Sequence, residues 1–126
     1  MLKLPHIRTS KENKSRVASL THRLKFRAEN IVARISLAYS LEQGVKLKLS
    51  ELQDSGGKEY SPIVLFSDHE PYYIGWVCCL YQIHSKDERI PKYLKLHLDD
   101  GIILIEEALN ANSDEDPIRV LMEQTL

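Results

Sequence analysis

The chain has 126 residues, of which 43% are hydrophobic and 28% are charged, and its formal net charge is −1. This length fits one domain with a buried core, and the composition excludes an intrinsically disordered chain. No apolar run approaches the roughly 20 residues that span a bilayer, and the N-terminus lacks the apolar stretch of a signal peptide, so we predict a cytoplasmic protein.

The small net charge hides a strong asymmetry along the chain. Residues 1–48 hold eleven Lys and Arg against three Asp and Glu, a net of +8, whereas residues 49–126 hold six against fifteen, a net of −9. A basic half beside an acidic half is typical of proteins that bind a polyanion. On charge alone, solvated surface charge sorted by chance remains the alternative.

The first third of the sequence predicts an extended arm followed by two helices. Residues 4–9 contain a proline and are too few for a helix, so they form a strand or an arm. Ser10 is placed to cap a first helix over 11–23, which has one narrow apolar stripe. A second helix over 27–42 is apolar on two faces, which in so small a chain predicts contact with another subunit.

The middle of the chain leaves two interpretations open. Residues 45–49 alternate between apolar and polar, which favours a strand and, with a turn at 55–58, a small hairpin. An irregular loop followed by a short helix also fits residues 45–66.

Two further helices follow. A helix over 67–84 has almost no polar face, so we predict that it is the central core helix, with Cys78 and Cys79 as buried, reduced thiols. A long helix over 92–109 carries apolar residues at every third or fourth position, and Gly101 within it predicts a close packing contact. Together these elements predict a mainly α, compact helical domain.

No residue pattern points to catalysis, to a metal or to a cofactor. The five histidines form no metal-ligand pair with each other or with the cysteines, and Gly56-Gly57 lacks the first glycine of a nucleotide-binding loop. Asp99 and Asp100 are neighbours on a helix and point about 100° apart, so we predict that they are mostly solvated surface. We therefore expect no catalytic residue, no metal ligand and no cofactor.

The basic half supplies the groups that phosphate recognition needs, which are cationic side chains and hydroxyls set along one surface. These candidates are Lys3, Arg8, Lys11, Lys14 and Lys25, with Ser10, Ser15 and His22 beside them. Phe26 is the one aromatic residue among the first 38, so a duplex backbone is a better target than a single strand, whose bases need aromatic stacking.

Several segments resemble one protein family. They are IRTSKENK (7–14), LTHRL (20–24), NIVARISLA (30–38), FSDH (66–69) and KLHLDDGI (95–102). In this order they resemble the DndE family of DNA sulfur-modification proteins, and the likeness covers residues 4 to about 109. None of these segments is a catalytic signature.

The resemblance implies a mostly helical fold assembled as a homotetramer, and a preference for nicked over intact double-stranded DNA. It also implies partners: the cysteine desulfurase, the iron–sulfur protein and the ATPase of the system that replaces a non-bridging phosphate oxygen by sulfur. The basic positions that match are Arg8, Lys11, Lys14, Arg23 and Arg34. We predict that Arg8, Lys11, Lys14 and Arg23 contact DNA and that Arg34 has a structural role.

We therefore expect a helical DNA-binding domain over residues 1–109 and an acidic C-terminal linker and short tail over 110–126. The expected function is that of a non-catalytic accessory subunit of DNA phosphorothioation that binds the duplex backbone. Three alternatives stay open: a protein–protein adaptor of the modification complex, a ribbon-helix-helix-like transcriptional repressor, and a metal-dependent nuclease that uses Asp99 or Asp100.

Overall fold

The chain folds into six α-helices and two short strands over residues 3–125, the part that this computed structural model describes, with side chains up to residue 123. The elements are β1 (Ile7–Arg8), α1 (Lys11–Leu24), α2 (Glu29–Glu42), β2 (Glu59–Tyr60), α3 (Pro62–Phe66), α4 (Glu70–Tyr81), α5 (Ile90–Ala111) and α6 (Pro117–Thr125). The predicted mainly α fold is therefore confirmed. Within the described residues, no helix is both long enough and apolar enough to cross a bilayer.

The N-terminal arm pairs with a distant segment of the same chain. In β1, Ile7 lies opposite Tyr60 and Arg8 opposite Glu59 of the antiparallel strand β2. Residues 45–49 form a loop that enters a 3-10 turn (Leu49–Glu51), and α3 follows β2 directly. Of the two interpretations of residues 45–66, the loop with a short helix is the one observed, and the hairpin within this segment is wrong.

The start of α1 agrees with the sequence prediction. The hydroxyl of Ser10 accepts a hydrogen bond from the amide of Asn13 at 3.1 Å, so Ser10 is the N-cap. Lys25, with a φ of 59°, ends the helix in the left-handed conformation. α2 begins two residues later than predicted, after Ala28, whose extended backbone provides no side-chain cap.

The central helix of the core is α5. Its buried residues are Ile90, Tyr93, Leu94, Leu96, His97, Leu98, Asp99, Gly101, Ile102, Ile105 and Leu109. α2 packs along it more extensively than any other described element does. The core also includes Val120 and Leu121 of α6.

The prediction that the helix at 67–84 forms the centre of the core is wrong. Of the residues of α4, all of which the structure describes, only Val77 is buried, while Cys78 is half-buried and Cys79 exposed. An all-round apolar helix is expected to be surrounded, but α4 packs on α2, α3 and α5 with one side. The side chains of Tyr72 and Trp76 are 75% and 37% exposed.

Arg34 has the structural role that the sequence suggested. Its guanidinium donates hydrogen bonds to the carbonyl oxygens of Leu65, at 2.6 Å, and Val64, at 3.2 Å. These carbonyls lie near the C-terminal end of α3, where helix carbonyls have no partner within the helix. Arg34 therefore fixes the short helix α3 against α2.

Candidate nucleic-acid interface

The outward side of α1 is polar and begins with two lysines. Val17, Leu20 and Leu24 are buried in the core, so Lys11 and Lys14 lie on the solvent side, and both are exposed. Three residues apart on a helix, these lysines differ by roughly 60° in direction and about 4.5 Å along the axis. Their ammonium groups can therefore reach neighbouring phosphates of one backbone.

These lysines keep their charge available. Among the described residues, none forms an ion pair with Lys11, Lys14 or Lys25. Lys25 is exposed at the far end of α1, roughly 16 Å from Lys14 along the helix.

The acidic half of the sequence neutralises other basic residues. The guanidinium of Arg8 lies 3.1 Å from the carboxylate of Glu59 on β2. Arg16 contacts Glu106 of α5 at 3.2 Å. The +8 segment therefore presents less free charge than its composition suggests.

Two more predicted DNA contacts lie apart from Lys11 and Lys14. Arg23 is half-buried and donates a hydrogen bond to the side chain of Asn110, at the end of α5, at 2.8 Å. Lys3 is exposed on the arm and lies beside Pro62 and Ile63 of α3. Of the six predicted positions, Lys11 and Lys14 therefore share the first turn of α1, whereas Arg8 and Arg23 have partners within the chain and Lys3 and Lys25 are exposed elsewhere.

Asp99 fixes the start of α1 onto α5. Its carboxylate accepts hydrogen bonds from the backbone amide of Ser10 at 3.0 Å, from Asn13 Nδ2 at 2.7 Å and from Lys95 Nζ at 2.8 Å. Asp99 is 2% exposed, so the prediction that it is solvated surface is wrong. The sequence shows that Asp99 and Asp100 are neighbours. It does not show that the Ser10 amide and the Lys95 ammonium group donate to Asp99 and so allow its carboxylate to be buried.

The same ammonium group also holds the arm. Lys95 Nζ donates hydrogen bonds to the carbonyl oxygens of Arg8 and Asp54, each at 2.9 Å. Lys95 was not among the predicted functional residues, and it lies one helical turn before Asp99 on α5. An i, i+4 spacing of opposite charges is the signal that indicates this pair.

The loop before β2 supports the first turn of α1 from the other side. The carboxylate of Asp54 accepts hydrogen bonds from the amides of Lys11, at 2.9 Å, and Gly56, at 3.0 Å. These bonds, the Lys11 amide first, lower the pKa of the Asp54 carboxyl. A Cβ at Gly57 would overlap the carbonyl oxygen of Ser10, so only glycine allows this approach.

A second buried polar network lies between α2, α4 and α5. Ser40 Oγ donates to Asp100 at 2.7 Å and lies 2.7 Å from Nδ1 of His97. The Ser40 hydroxyl has one proton, which it donates to the Asp100 carboxylate, so its oxygen can only accept from His97. Nδ1 therefore carries the ring proton and donates to Ser40 Oγ. Nε2 then accepts from the Tyr81 hydroxyl at 2.7 Å, and that hydroxyl accepts from the amide of Leu47 at 2.8 Å.

Burial explains the charge state of this histidine. His97 is fully buried, and this lowers the pKa of its imidazole to about 4, so the ring is neutral at pH 7. Gly101, one turn further along α5, lies against Ser36 of α2. His97 and Gly101, both in the segment KLHLDDGI (95–102), therefore contact α2, which confirms the predicted close packing at Gly101.

Two of the alternative functions find little support in this geometry. β1 has two residues and pairs within its own chain, whereas a ribbon-helix-helix protein inserts a strand pair into the major groove. Both carboxylate oxygens of Asp99 already accept hydrogen bonds from the protein, which disfavours Asp99 as a metal ligand of a nuclease.

Comparisons with known proteins agree with this fold. The family model for DndE, described as DNA sulphur modification protein DndE, matches residues 6–113. The crystal structure of DndE from Escherichia coli B7A, involved in DNA phosphorothioation modification, is similar to this chain at 19% identity and a TM-score of 0.63. The match covers 80% of this chain and 97% of that one. No curated protein sequence matches the chain. Because the family model spans most of the sequence, the chain belongs to the DndE family of DNA sulphur modification proteins.

Proposed function

We propose that this protein is a non-catalytic accessory subunit of the DNA phosphorothioation machinery that binds the backbone of double-stranded DNA and prefers a nicked duplex. The observation that carries the proposal is the pair Lys11 and Lys14, both exposed and without an ion pair among the described residues, on the first turn of a helix. A cytoplasmic location and work beside the other sulfur-modification subunits belong to the same proposal.

Rigid placement supports this role. The first turn of α1 is held by Asp99 of α5 on one side and by Asp54 on the other. Cations on a fixed element lose less freedom on binding than cations on a mobile loop, so more of their attraction to phosphate contributes to affinity. Contacts of this kind position a protein on the duplex without reading its sequence.

The preference for a nick follows from the stiffness of DNA. A nicked duplex lacks one covalent link and bends more easily at that point, so a broad basic surface makes its contacts at a lower deformation energy. Repetition of the α1 surface in a homotetramer would increase the local positive charge.

The exposed side of α4 supports assembly with further copies of this chain. We define the α4 face as the exposed side chains of Tyr72 and Trp76, which lie one helical turn apart on α4 and are 75% and 37% exposed. Large exposed apolar patches mark contact surfaces, and aromatic residues are enriched in them. We assign this face to contacts between subunits of the tetramer.

The same face favours one alternative function, that of an adaptor that holds other modification subunits and contacts DNA little. In that case the α4 face would bind a different protein. The two functions differ in their dependence on Lys11 and Lys14, because an adaptor would tolerate reversal of both charges.

A binding experiment separates these functions. Affinity would be measured by fluorescence anisotropy for one DNA sequence as nicked duplex, intact duplex and single strand. The Lys11→Glu/Lys14→Glu variant would be compared with Lys46→Glu/Lys48→Glu, which reverses two exposed charges on the loop after α2. We expect the α1 variant to lose at least tenfold in affinity for nicked duplex and the control variant to lose little.

Three results would contradict the proposal: equal affinity of the two variants, tighter binding of single strands than of duplex, or no binding of DNA by the native protein. The first and last would favour the adaptor. Circular dichroism of both variants would verify that the exposed substitutions leave the helical fold intact.

A further inference from the structure

A groove of about 770 Å³ lies where α1, α2 and β2 meet. Its walls include His22 near the end of α1, the segment 27–30 that opens α2, and Lys58 and Tyr60 on and beside β2. The proposed function does not use this groove.

The N-terminus of α2 opens into the groove. α2 has 14 residues, and Ala28 at its N-cap position makes no side-chain hydrogen bond to the first turn. Among the described residues, none accepts a hydrogen bond from the amides of Glu29 or Asn30. Free amides and the positive end of the helix dipole together attract anions.

A buried hydroxyl gives an independent indication of a ligand at this place. Tyr60 lines the groove and is 3% exposed, and its hydroxyl has no hydrogen-bond partner among the described residues. A buried hydroxyl without a hydrogen-bond partner lowers the stability of the fold, so its presence calls for an explanation, and a bound ligand is one such explanation. Burial first, and then the charge of Glu29, raise the pKa of this phenol, so the hydroxyl stays protonated and can donate a hydrogen bond.

The charge around the groove favours an anion. Arg27 and Lys58 are exposed at its edge, and neither forms an ion pair with any described residue. Of the two carboxylates that line it, that of Glu59 is already paired with Arg8. Glu29 is then the one opposing charge, and the groove keeps a net positive charge.

The groove is continuous with the helix that carries the proposed DNA contacts. Ala18 and His22 are exposed on α1 and belong to the groove wall. His22 lies roughly 12 Å along the axis from Lys14, which corresponds to about three to four base pairs at 3.4 Å each. A strand that contacts Lys14 can therefore reach the groove.

We propose that this groove binds a phosphate group of the DNA strand, with the amides of Glu29 and Asn30, the side chains of Arg27 and Lys58, and the Tyr60 hydroxyl as its donors. This inference rests on the proposed function for the source of the phosphate. Because the Tyr60 hydroxyl is closed off from solvent, contact with it requires a small shift of the groove wall.

Nuclear magnetic resonance titrations of the ¹⁵N-labelled protein test this site with two probes, inorganic phosphate and a short nicked duplex. The test variant Arg27→Gln/Lys58→Gln is matched by Lys46→Gln/Lys48→Gln, which removes the same charge beyond the opposite end of α2. We expect both probes to shift the amide signals of Glu29 and Asn30 saturably in the native protein and in the control. In the test variant, both affinities should fall at least fivefold.

The outcomes separate this inference from the proposed function. No shift of these two amides with either probe overturns the groove site. Shifts with phosphate but not with duplex, while the duplex still shifts Lys11 and Lys14, overturn the assignment to DNA and leave the proposed function standing. Saturable phosphate binding without any duplex binding refutes the proposed function, and the DNA assignment of the groove falls with it.

The Tyr60→Phe variant tests whether the Tyr60 hydroxyl contributes to phosphate binding. Since this change removes a polar group that has no partner, the phosphate-free protein should melt at the same or a higher temperature. Its affinity for inorganic phosphate should nevertheless fall severalfold. Unchanged phosphate affinity would remove Tyr60 from the site.

Discussion

Gly101 of α5 lies directly against the backbone of Ser36 in α2, and a Cβ added at Gly101 would overlap the Ser36 carbonyl oxygen. This contact lies within the most extensive helix pair of the described fold. We expect Gly101→Ala to lower the free energy of unfolding by about 2 to 3 kcal/mol, because overpacking outweighs the roughly 1 kcal/mol that alanine gains in a helix. Urea denaturation measures this change.

Gly75 provides the matched control for this prediction. It is exposed in the helix α4, and a Cβ added there would meet no atom within 4 Å. Gly75→Ala should therefore raise the free energy of unfolding by about 0.5 to 1 kcal/mol. If the two substitutions changed stability in the same direction, the close contact at Gly101 would be wrong.

Removal of the Asp99 carboxylate should destabilise the protein strongly. Asp99→Ala leaves the Lys95 ammonium without its buried counter-ion and the Ser10 amide without an acceptor. We expect a loss of about 3 kcal/mol in the free energy of unfolding. Amide hydrogen exchange should show faster opening of the first turn of α1 as well.

An exposed ion pair with the same i, i+4 spacing as Lys95 and Asp99 provides the control for this prediction. Arg119 and Glu123 contact at 3.0 Å on α6, with side chains that are 74% and 54% exposed. Arg119→Ala should change stability by no more than about 0.5 kcal/mol, because water screens this pair. A loss for Asp99→Ala as small as this would show that Asp99 is solvated after all.

His97 should make stability depend on pH. The folded state holds the pKa of this imidazole at about 4, below its ordinary value of 6.5, by burial. A lowered pKa means that folding favours the neutral ring. The stabilisation is therefore complete above pH 6.5 and is lost as the pH falls from 6.5 toward 4, by roughly 3 kcal/mol in total.

Urea denaturation of the native protein and of His97→Gln at pH 7.5, 6 and 5 isolates this contribution. The native protein should lose stability across this range more steeply than the variant, which has no ring to protonate. Parallel curves would indicate that His97 titrates normally in the folded state.

The α4 face should control assembly. Trp76→Asp places a charge among exposed apolar side chains and should convert a tetramer into smaller species, as measured by sedimentation velocity. Val45→Asp changes a 55% exposed side chain on the loop after α2 and should leave assembly unchanged. A monomeric native protein, or a Trp76→Asp variant with native assembly, would contradict the assignment of this face.

Local sequence patterns were sufficient to predict most of the helices, but not which helix lies at the centre of the core. The stripe of Val17, Leu20 and Leu24 predicts which side of α1 is buried, and Ser10 predicts where the helix begins. α4 is more apolar than α5, yet α5 is the central helix, because hydropathy does not distinguish burial in the core from an exposed apolar surface.

Contacts between distant residues lay beyond such patterns. β1 pairs with β2 across about fifty residues, and this pairing brings Glu59 to Arg8. Asp99 reaches Ser10 across 89 positions. In the candidate interface, the sequence therefore indicated the lysines of α1, but neither the carboxylates that neutralise Arg8 and Arg16 nor the groove at α2.

The salt dependence of DNA binding tests the central claim most directly. The logarithm of the association constant for nicked duplex should fall linearly with the logarithm of the salt concentration, and Lys11→Gln/Lys14→Gln should reduce the slope by about two. This result would mean that both ammonium groups displace counterions from the backbone. A slope that is the same in the native protein and the variant would show that α1 does not contact DNA.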